Sequence, residues 1–455
     1  MPLPFEIPDH VKHLIQKLRR AGYTAYAVGG CVRDSLLGSV PNDWDICTSS
    51  TPQETLSALQ AVNIIENGMK HGTVTVRYQG ENYEITTFRI DGAYEDHRRP
   101  ESVTFVTDVR EDLSRRDFTI NAMACDENEG IIDFFGGRKD LDDHIIRCVG
   151  DPDKRFQEDG LRIMRALRFA ARFEFEIEPK TAEAIHRNKD LLKSISAERI
   201  NAEFTQLLMS KGVEKLLLDY RDVLEVFVPE IAPMVGFQQR NPHHVYDVWE
   251  HTVKVVSFAK QDKVLRLAAF FHDIGKPNVF TLSEDGTGHF HGHPELSEKM
   301  AKTIMNRLKY DNNTIAKVGA LIRLHDKRPP LHAPSVRRLL RDIGEELYPA
   351  LMDLKRADAM GQNPKQLSEK LLYVDKLREM IETEIRSRSP YTLKMLALNG
   401  RDLMQIGFCS GREIGETLNA LLSLVIDGQL PNEKQALLKE AEKRLMKTNV
   451  CKQVT

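Results

Sequence analysis

Residues 28–45 read VGGCVRDSLLGSVPNDWD, and this stretch decides the fold of the first part of the chain. Asp43 and Asp45 stand one residue apart near its end. On an extended strand these two side chains point to one side and Trp44 points to the other. Paired carboxylates repel each other unless a cation lies between them. Proteins hold Mg²⁺ with one or two carboxylates and the phosphates of a substrate. We therefore predict that Asp43 and Asp45 are catalytic and hold Mg²⁺.

The beginning of the same stretch has the features of a phosphate-binding turn. Gly29 and Gly30 let backbone N–H groups approach a phosphate closely, at a turn that leads into a helix. A glycine pair alone would equally well form a solvent-exposed turn, and only the whole spacing from Gly-Gly to Asp-x-Asp is specific. Phosphates at one end and metal-binding carboxylates at the other indicate two-metal nucleotidyl or phosphoryl transfer.

This stretch resembles the signature of the DNA polymerase beta-like nucleotidyltransferases, in particular the class II tRNA nucleotidyltransferase and poly(A) polymerase family. The resemblance implies a small catalytic head with a mixed five-stranded sheet, and nucleotide binding by Gly29, Gly30 and Arg33. A third metal-binding carboxylate is common in this superfamily. Glu84, in the alternating pattern YEITTFR, is the candidate, and a paired surface glutamate would explain it equally well.

Composition limits the classes of protein to consider. A chain of 455 residues is too long for one core, so we expect two to four domains. The content of 41% hydrophobic and 29% charged residues is typical of a soluble globular protein. The net charge of −3 means that any basic surface for a nucleic acid must be local.

The cysteines and the hydropathy pattern indicate the compartment. The six cysteines form no C-x-x-C pair, which argues against a zinc ribbon or a disulfide framework and for a reducing environment. No apolar run is long enough to span a membrane, and no signal peptide is visible. We therefore expect a cytoplasmic protein with no membrane partner.

A second motif, LSRRDFTINAMA, covers residues 113–124. We expect Asp117 to cap a helix that begins here, and a capped helix with solvated charges would by itself explain the motif about as well. The string resembles the RRDFTINA motif of the family, in which the second arginine contacts the nucleotide. The resemblance implies that role for Arg116, whose guanidinium can bind a triphosphate bidentately.

A third motif, EDGLRIMRALRFAAR, covers residues 158–172 and lies in a helix predicted over 156–173. Its arginines recur every three or four residues, so they form one stripe on the helix. A stripe of this kind on an otherwise apolar helix favours a cleft for a polyanion over a solvated face. The nucleotide-binding candidates in this motif are Asp159, Arg162, Arg165 and Arg168.

Asp159 and Arg162 together can select a base. An aspartate accepts from an exocyclic amine, and an arginine donates to ring acceptors. Cytosine and adenine offer an amine beside a ring acceptor, whereas uracil and guanine present a carbonyl there. The pair could therefore choose CTP and ATP without a nucleic-acid template. EDGLR resembles the EDxxR element of tRNA nucleotidyltransferases, which favours tRNA end repair over polyadenylation.

Residues 89–100, RIDGAYEDHRRP, form a polar segment with a glycine and a terminal proline, which indicates a loop. The segment resembles the flexible loop that the family needs for the final A addition. We therefore expect residues 91–100 to matter more for A addition than for CC addition.

Histidines and aspartates recur between residues 243 and 326. Imidazole and carboxylate together suit transition metals. Their order resembles the metal-dependent His-Asp (HD) phosphohydrolase domain of some bacterial tRNA nucleotidyltransferases. The resemblance implies that Ni, Mn or Fe is bound by four ligands: His251, His272, Asp273 and Asp326. His293 and His325 are secondary candidates, and a degenerate domain without metal is the alternative.

Together these patterns predict an α+β protein in four parts. These are a nucleotidyltransferase head (1–150), a helical neck that binds nucleotide and RNA (151–235), an HD domain (236–345) and a helical tail that binds tRNA (346–455). The resemblance implies addition and repair of the 3′-terminal CCA of tRNA with CTP and ATP, releasing pyrophosphate, and no DNA partner. The alternatives within the class are an enzyme that adds only the terminal A and a poly(A) polymerase. From another class, the chain could be an HD phosphodiesterase whose head only binds nucleotide.

Overall fold

The structure is a computed structural model that describes residues 3–59, 63–65, 69, 72–92, 102–409 and 411–454, without the side chains of 63–65 and 447–454. The chain divides into two units, residues 1–232 with 307–310 and residues 233–306 with 311–455. The loop predicted over residues 91–100 lies outside the described residues from residue 93 onward. Within the described ranges, no helix is both long enough and apolar enough to cross a membrane.

A mixed sheet organises the beginning of the first unit. The elements are α1 (Asp9–Arg20), β1 (Ala25–Val28), α2 (Gly30–Leu36), β2 (Ile46–Thr48), α3 (Pro52–Ala58), β3 (Asn63–Ile65), β4 (Thr73–Tyr78), β5 (Glu81–Thr87), β6 (Arg89–Asp91), β7 (Val103–Phe105), α4 (Val109–Ser114), β8 (Met123–Asp126), β9 (Gly130–Asp133), α5 (Gly137–Asp142) and β10 (Ile145–Ile146). The strand order is β3-β4-β5-β2-β1-β8-β9, with β2 and β5 parallel and the other neighbours antiparallel. The predicted mixed sheet is confirmed, but the predicted number of five strands is wrong, because the sheet has seven.

The motif of residues 113–124 does not begin the predicted helix. Asp117 is followed by one 3-10 turn, Thr119–Asn121, and then by β8, which pairs with β1 on one side and β9 on the other. Every side chain of β8 is buried. A strand that is buried on both faces lacks the alternation that distinguishes it from a helix. The prediction of a capped helix was wrong for this reason.

Helices form the rest of the first unit. They are α6 (Pro152–Glu158), α7 (Leu161–Phe173), α8 (Pro179–Asn188), α9 (Ala197–Leu208), α10 (Val213–Asp219) and α11 (Arg221–Leu224), with the short strand β11 (Glu176–Ile177) between α7 and α8. The helix predicted over 156–173 is broken in two, because Asp159 has an extended backbone with φ −144° and ψ 104°. This break places Asp159 between two helices and Arg162 in the first turn of α7.

The second unit is helical apart from one short strand pair. Its elements are α12 (Val248–Phe258), α13 (Lys263–Phe271), β12 (Thr281–Leu282), β13 (Gly288–His289), α14 (His293–Arg307), α15 (Asn312–Leu324), α16 (Ala333–Ile343), α17 (Tyr348–Met360), α18 (Leu367–Arg386), α19 (Gly400–Gln405), α20 (Gly411–Ile426) and α21 (Lys434–Val454). The predicted α+β class with a helical body is thereby confirmed. Helices α19 to α21 pack around an apolar core that includes Leu403, Phe408, Leu421 and Leu437.

Candidate functional sites

Three carboxylates converge at the beginning of β2. Ile46 of β2 pairs with Ile85 of β5 in parallel register, so the residues just before them, Asp45 and Glu84, lie on adjacent chains. Asp43 is exposed, and it lies with Asp45 in extended chain immediately before β2 and not in the strand itself. The structure therefore brings Glu84, the candidate third carboxylate, to the predicted pair.

The electrostatics of these carboxylates fit a divalent cation, although their oxygens do not all lie within 4.8 Å of one another. Burial, together with the negative charges of Asp43 and Glu84, raises the pKa of Asp45 to about 6 against the opposing charge of Arg116. Three carboxylates that lie close together repel one another when ionised, and a cation bound between them stabilises their ionised form. Oxygen ligands of this kind suit Mg²⁺.

Gly29 and Arg116 are in contact at the turn between β1 and α2. Helix α2 begins at Gly30. Gly29 has φ +81°, a conformation that favours glycine, and its N–H donates to the carbonyl of Met123 at 2.9 Å. A Cβ at this position would lie 2.8 Å from Nη1 of Arg116, so the guanidinium lies directly against the turn. The buried Nε of Arg116 has no hydrogen-bond partner in the described part of the chain. Arg116 therefore lies against the turn with one of its N–H groups unpaired among the described residues.

Asp112 positions the two arginines of this motif, and sequence analysis missed it. Its Oδ1 accepts from Nε and Nη2 of Arg115 at 3.0 and 2.7 Å, and its Oδ2 accepts from Nη2 of Arg116 at 3.4 Å. Burial opposes ionisation of Asp112, but the charges of both arginines hold its pKa below the ordinary value. The spacing of three and four residues from Asp112 to Arg115 and Arg116, which follow the end of α4, was the signal that could have identified it.

Arg33 is buried between α2 and α7. It donates to Asp34 Oδ1 at 2.8 Å and also to the side-chain oxygen of Asn121. Its Cζ lies 5.0 Å from the ring centroid of Phe169 and 4.9 Å from that of Phe173. Arg33 therefore fastens the helix after the glycine turn to α7. Its direct contact with nucleotide stays a prediction.

Asp159 is held by two donors at the break before α7. Its Oδ1 accepts from the backbone N–H of Leu161 at 3.0 Å, and its Oδ2 accepts from Nη2 of Arg199 at 2.7 Å. Arg199 lies on α9, too far along the chain for any local pattern to connect it with Asp159. It fixes the direction in which the carboxylate points.

Arg162 connects α7 with the second motif. Its Nη2 donates to the backbone carbonyl of Arg115 at 2.9 Å, and its Nη1 donates to Glu158 Oε2 at 2.7 Å and to the carbonyl of Arg155 at 3.1 Å. The structure therefore places Arg162 beside the arginine motif, whereas the side chain of Asp159 bonds to Leu161 and Arg199 and not to Arg162.

The next two arginines of α7 pair with carboxylates. Arg165 donates to Asp117 Oδ2 through Nε at 2.8 Å and Nη2 at 2.6 Å, and Arg168 pairs with Glu203. Burial opposes ionisation of Asp117, but the charge of Arg165 and a hydrogen bond from Asn121 hold its pKa below the ordinary value. Asp117 therefore anchors α7 and does not cap a helix. Nucleotide binding by Arg165 and Arg168 stays a prediction.

A second cluster of metal-ligand residues lies in the second unit. Asp273 Oδ2 lies 3.4 Å from Nε2 of His251 and 3.1 Å from Nε2 of His272. Asp273 Oδ1 lies 3.3 Å from Nε2 of His293 and 3.6 Å from Nε2 of His325. All five side chains are buried, and they form two ligand groups that share Asp273.

Asp358 joins this cluster where the sequence predicted Asp326. Asp358 Oδ1 on α17 lies 3.1 Å from Nε2 of His251. Burial opposes ionisation of Asp358, but hydrogen bonding to His251 holds its pKa well below the ordinary value. Neither Asp326 nor Asp358 belongs to the two ligand groups of the described residues, but Asp326 is exposed, whereas Asp358 lies within ion-pair distance of His251. Asp326 was predicted from its position in the resemblance to the HD family, whereas no motif surrounds Asp358.

A cavity of about 280 Å³ opens onto this cluster, and its lining includes Asp273, Lys276, His293, Arg328 and Asp358. A neighbouring cavity of about 240 Å³ shares Arg328 and Asp358 and adds the side chain of Lys370. Cationic side chains beside metal ligands suit the phosphate of a substrate.

The carboxylate trio and the arginine at the glycine turn define the head of a nucleotidyltransferase. Residues 25–147 match the model of the Poly A polymerase head domain, residues 174–235 that of an RNA and SrmB-binding site of polymerase A, and residues 290–441 that of tRNA nucleotidyltransferase domain 2.

Relatives over nearly the whole length narrow this class. The CCA-adding enzyme of Lactobacillus helveticus (strain DPC 4571) is 36% identical over 438 residues, 94% of this chain and 95% of the relative. That of Geobacillus stearothermophilus is 35% identical over 426 residues, 93% and 94% of the two chains. The crystal structure of the Bacillus stearothermophilus CCA-adding enzyme in complex with CTP matches with a TM-score of 0.71 at 30% identity, covering 97% of this chain and 98% of that one. The chain belongs to the family of CCA-adding enzymes.

Proposed function

We propose that this chain adds and repairs the 3′-terminal CCA of tRNA from CTP and ATP, releasing pyrophosphate. The observation that carries the proposal is the union, in one unit, of the carboxylate trio, the arginine at the glycine turn and the Asp159–Arg162 pair. The second motif contacts the glycine turn through Arg116 and α7 through the carbonyl of Arg115. A triphosphate bound at the turn would therefore have its base near α7. Family membership supports the same reaction.

In the head, one group of residues would bind the metal and another would bind the triphosphate. Asp43, Asp45 and Glu84 would hold Mg²⁺. When bound, Mg²⁺ would supply the charge that activates the tRNA 3′-hydroxyl for attack on the α-phosphate and stabilises the departing pyrophosphate. Arg116 binds the triphosphate against the turn at Gly29, which fixes the α-phosphate relative to the carboxylates.

Base selection uses hydrogen-bonding capacity that remains at Asp159 and Arg162. A carboxylate has about four lone-pair sites, and Asp159 accepts from two described donors. A guanidinium has about five N–H donors, and Arg162 makes three described hydrogen bonds. Asp159 can therefore accept from the amine of cytosine or adenine while Arg162 donates to the ring acceptor beside it.

Incubation of tRNA lacking CCA with labelled CTP and ATP tests the proposal directly. The wild-type chain should incorporate both nucleotides, and Asp43→Ala or Asp45→Ala should abolish both incorporations without unfolding the protein. Asp143→Ala, which removes an exposed, ion-paired carboxylate of the same unit, is the matched control and should remain active. Normal incorporation by the Asp43 or Asp45 variants would contradict the assignment.

The same assay distinguishes the related reactions. An enzyme that adds only the terminal A would extend tRNA ending in CC and leave tRNA lacking CCA unextended, and a poly(A) polymerase would add a run of A. Asp159→Ala should weaken the use of CTP and ATP and narrow their advantage over UTP and GTP, each base contact being worth roughly 1–3 kcal/mol. Unchanged selectivity would contradict the role of Asp159.

A second activity, metal-dependent phosphate-ester hydrolysis, is favoured by the buried histidine cluster. We propose that His251, His272, Asp273 and Asp358 hold a transition metal such as Ni, Mn or Fe, with Asp358 in the place that sequence analysis gave to Asp326. His272→Ala with Asp273→Ala should keep CCA addition and lose any metal-dependent phosphatase activity. If elemental analysis of the wild type finds no transition metal, the cluster is structural.

A further inference from the structure

The arginine stripe of α7 ends at Arg172, which reaches the helix that follows the glycine turn. Nη2 of Arg172 lies 3.5 Å from Oδ2 of Asp34 on α2, and its Cζ lies 5.0 Å from the ring centroid of Phe173. The side chain is 44% exposed, and the contact with Asp34 is its single ion pair within the described residues. A guanidinium has about five N–H donors, so Arg172 keeps most of them for another anion.

Two arginines share the one carboxylate of Asp34. Nε and Nη2 of Arg33 lie 2.8 and 2.7 Å from Oδ1 of Asp34, whereas Arg172 faces Oδ2. Burial and the nearby charge of Arg172 lower the pKa of Arg33 against the opposing charges of Asp34 and Asp117. Asp117 is itself paired with Arg165. The two guanidinium groups therefore carry one positive charge more than Asp34 neutralises, and a bound anion would offset it.

This excess charge lies beside the glycine turn. A Cβ at Gly30 would lie 3.6 Å from Nη2 of Arg33, and a Cβ at Gly29 would lie 2.8 Å from Nη1 of Arg116. Arg33 and Arg116 therefore flank the turn, and Arg172 lies farther out, on the other oxygen of Asp34. Arg33 is buried and Arg172 is exposed. The outer, exposed position suits the end of a triphosphate chain that begins at the turn.

Helix α7 connects this position with the base-selecting residues. Arg162 lies in the first turn of α7 and Arg172 in the last, ten residues apart. At about 1.5 Å per residue this is a rise of roughly 15 Å, comparable with the length of an extended nucleoside triphosphate. The spacing of the stripe places both arginines on one side of the helix. A nucleotide whose base meets Arg162 would therefore run along α7 toward Arg172.

We propose that Arg172 binds the γ-phosphate of the incoming CTP or ATP. The inference rests on the proposed nucleotidyl transfer and adds a substrate-binding residue to it. Two N–H groups of the guanidinium bind two phosphate oxygens, and the remaining donors keep the contact with Asp34. Because Arg172 is exposed, the pyrophosphate that contains this phosphate leaves directly into solvent after transfer.

Equilibrium binding of labelled CTP and CDP to the full chain, with Mg²⁺ and without tRNA, tests the proposal. CDP lacks the γ-phosphate, so the ratio of the two affinities isolates the contribution of that group. Arg172→Ala should lower the affinity for CTP about tenfold, as expected for a lost hydrogen bond to a charged group, and leave the affinity for CDP nearly unchanged. Arg172→Lys, which keeps the charge, should restore part of the difference. An unchanged ratio in Arg172→Ala would overturn the proposal.

Arg187→Ala is the matched control, because Arg187 is 54% exposed, belongs to the same unit and makes a 2.8 Å ion pair with Asp153. This variant should keep the wild-type ratio of affinities. Thermal unfolding is measured beside binding. A lower unfolding temperature of Arg172→Ala with an unchanged ratio would mean that Arg172 only ties α7 to α2, which would contradict the proposal. If Arg172→Ala fails to fold, Arg172→Gln should show the same loss of CTP affinity.

Steady-state incorporation into tRNA separates this inference from the proposed reaction. Arg172→Ala should raise KM for CTP and ATP by the same factor and keep the preference for CTP over UTP, because all three nucleotides share the triphosphate end. A wild-type chain that incorporates neither nucleotide, while Arg172→Ala loses CTP affinity, would contradict the proposed reaction and leave the γ-phosphate site standing. Normal wild-type incorporation with an unchanged affinity ratio in Arg172→Ala would contradict the γ-phosphate site and support the reaction.

Discussion

Gly29→Ala tests whether the position of Arg116 at the glycine turn sets the rate of nucleotide incorporation. The added Cβ would lie 2.8 Å from Nη1 of Arg116. An ordinary contact of about 3.5 Å requires the guanidinium to move by roughly 0.7 Å. A displacement on the order of 1 Å in a group that positions substrate can lower a rate about 10²-fold. We therefore expect incorporation from both CTP and ATP to slow roughly 10- to 100-fold.

Gly38→Ala is the matched control. Gly38 follows α2, the helix that Gly29 precedes. Its φ is +72°, against +81° for Gly29, and a Cβ there meets nothing within 4 Å. Alanine at a positive φ destabilises a protein by about 1–2 kcal/mol, so both variants should unfold at lower temperature. Only Gly29→Ala should also lose rate.

Single-turnover incorporation on tRNA lacking CCA, followed beside thermal unfolding, measures both effects. Arg116→Ala should reproduce the loss of rate without backbone strain, which covers the case of a Gly29→Ala variant that does not fold. Equal rates for Gly29→Ala and Gly38→Ala would refute the reasoning.

Three further predictions concern the first unit. Arg199→Ala should narrow the preference for CTP over UTP roughly tenfold, because Arg199 orients Asp159 and one base contact is worth about 1–3 kcal/mol. Arg199→Lys should restore part of this preference. Arg187→Ala, which breaks a 2.8 Å ion pair elsewhere in the unit, should leave the preference unchanged. Asp117→Asn should lower the free energy of unfolding by about 2–4 kcal/mol at neutral pH, since it breaks a largely buried ion pair. The pKa of Asp117 is depressed, so this stabilisation is present above the ordinary carboxyl pKa of 3.8 and is lost as pH falls below it. A difference between the urea midpoints of wild type and variant that stays constant down to low pH would contradict this prediction. Replacing residues 92–99 by a short Gly-Ser link should stop tRNA extension after CC on a sequencing gel, and equal loss of C and A addition would contradict the role of the loop.

Sequence alone predicted the parts of the site that depend on neighbours in the chain. Asp43 and Asp45 needed only the alternation of an extended segment, and Gly29 needed only the geometry of a turn. Asp159 and Arg162 needed a fixed short spacing, although the helix expected there breaks at Asp159. Each inference uses only physics that acts over a few residues, and the roles of these side chains stay predictions.

The features that sequence missed depend on contacts between distant elements. Arg199 reaches Asp159 from another helix, and Asp358 reaches His251 from an element that carries no motif. β8 was taken for a helix because the sheet buries both of its faces. In each case the deciding contact is made only when the chain has folded, so periodicity and spacing could not reveal it.

Three consecutive residues connect the proposed triphosphate position at the glycine turn with the proposed base-selecting residues. The backbone carbonyl of Arg115 accepts from Arg162 at 2.9 Å, Arg116 lies against the glycine turn, and Asp117 receives two hydrogen bonds from Arg165. These residues share one short stretch of backbone, so a shift of α7 that accommodated a different base would also move Arg116. Under the proposed assignment, a base that pairs poorly with Asp159 and Arg162 would therefore be held with its α-phosphate displaced from the carboxylates. In this arrangement we expect selectivity to be expressed in the rate of transfer as well as in binding.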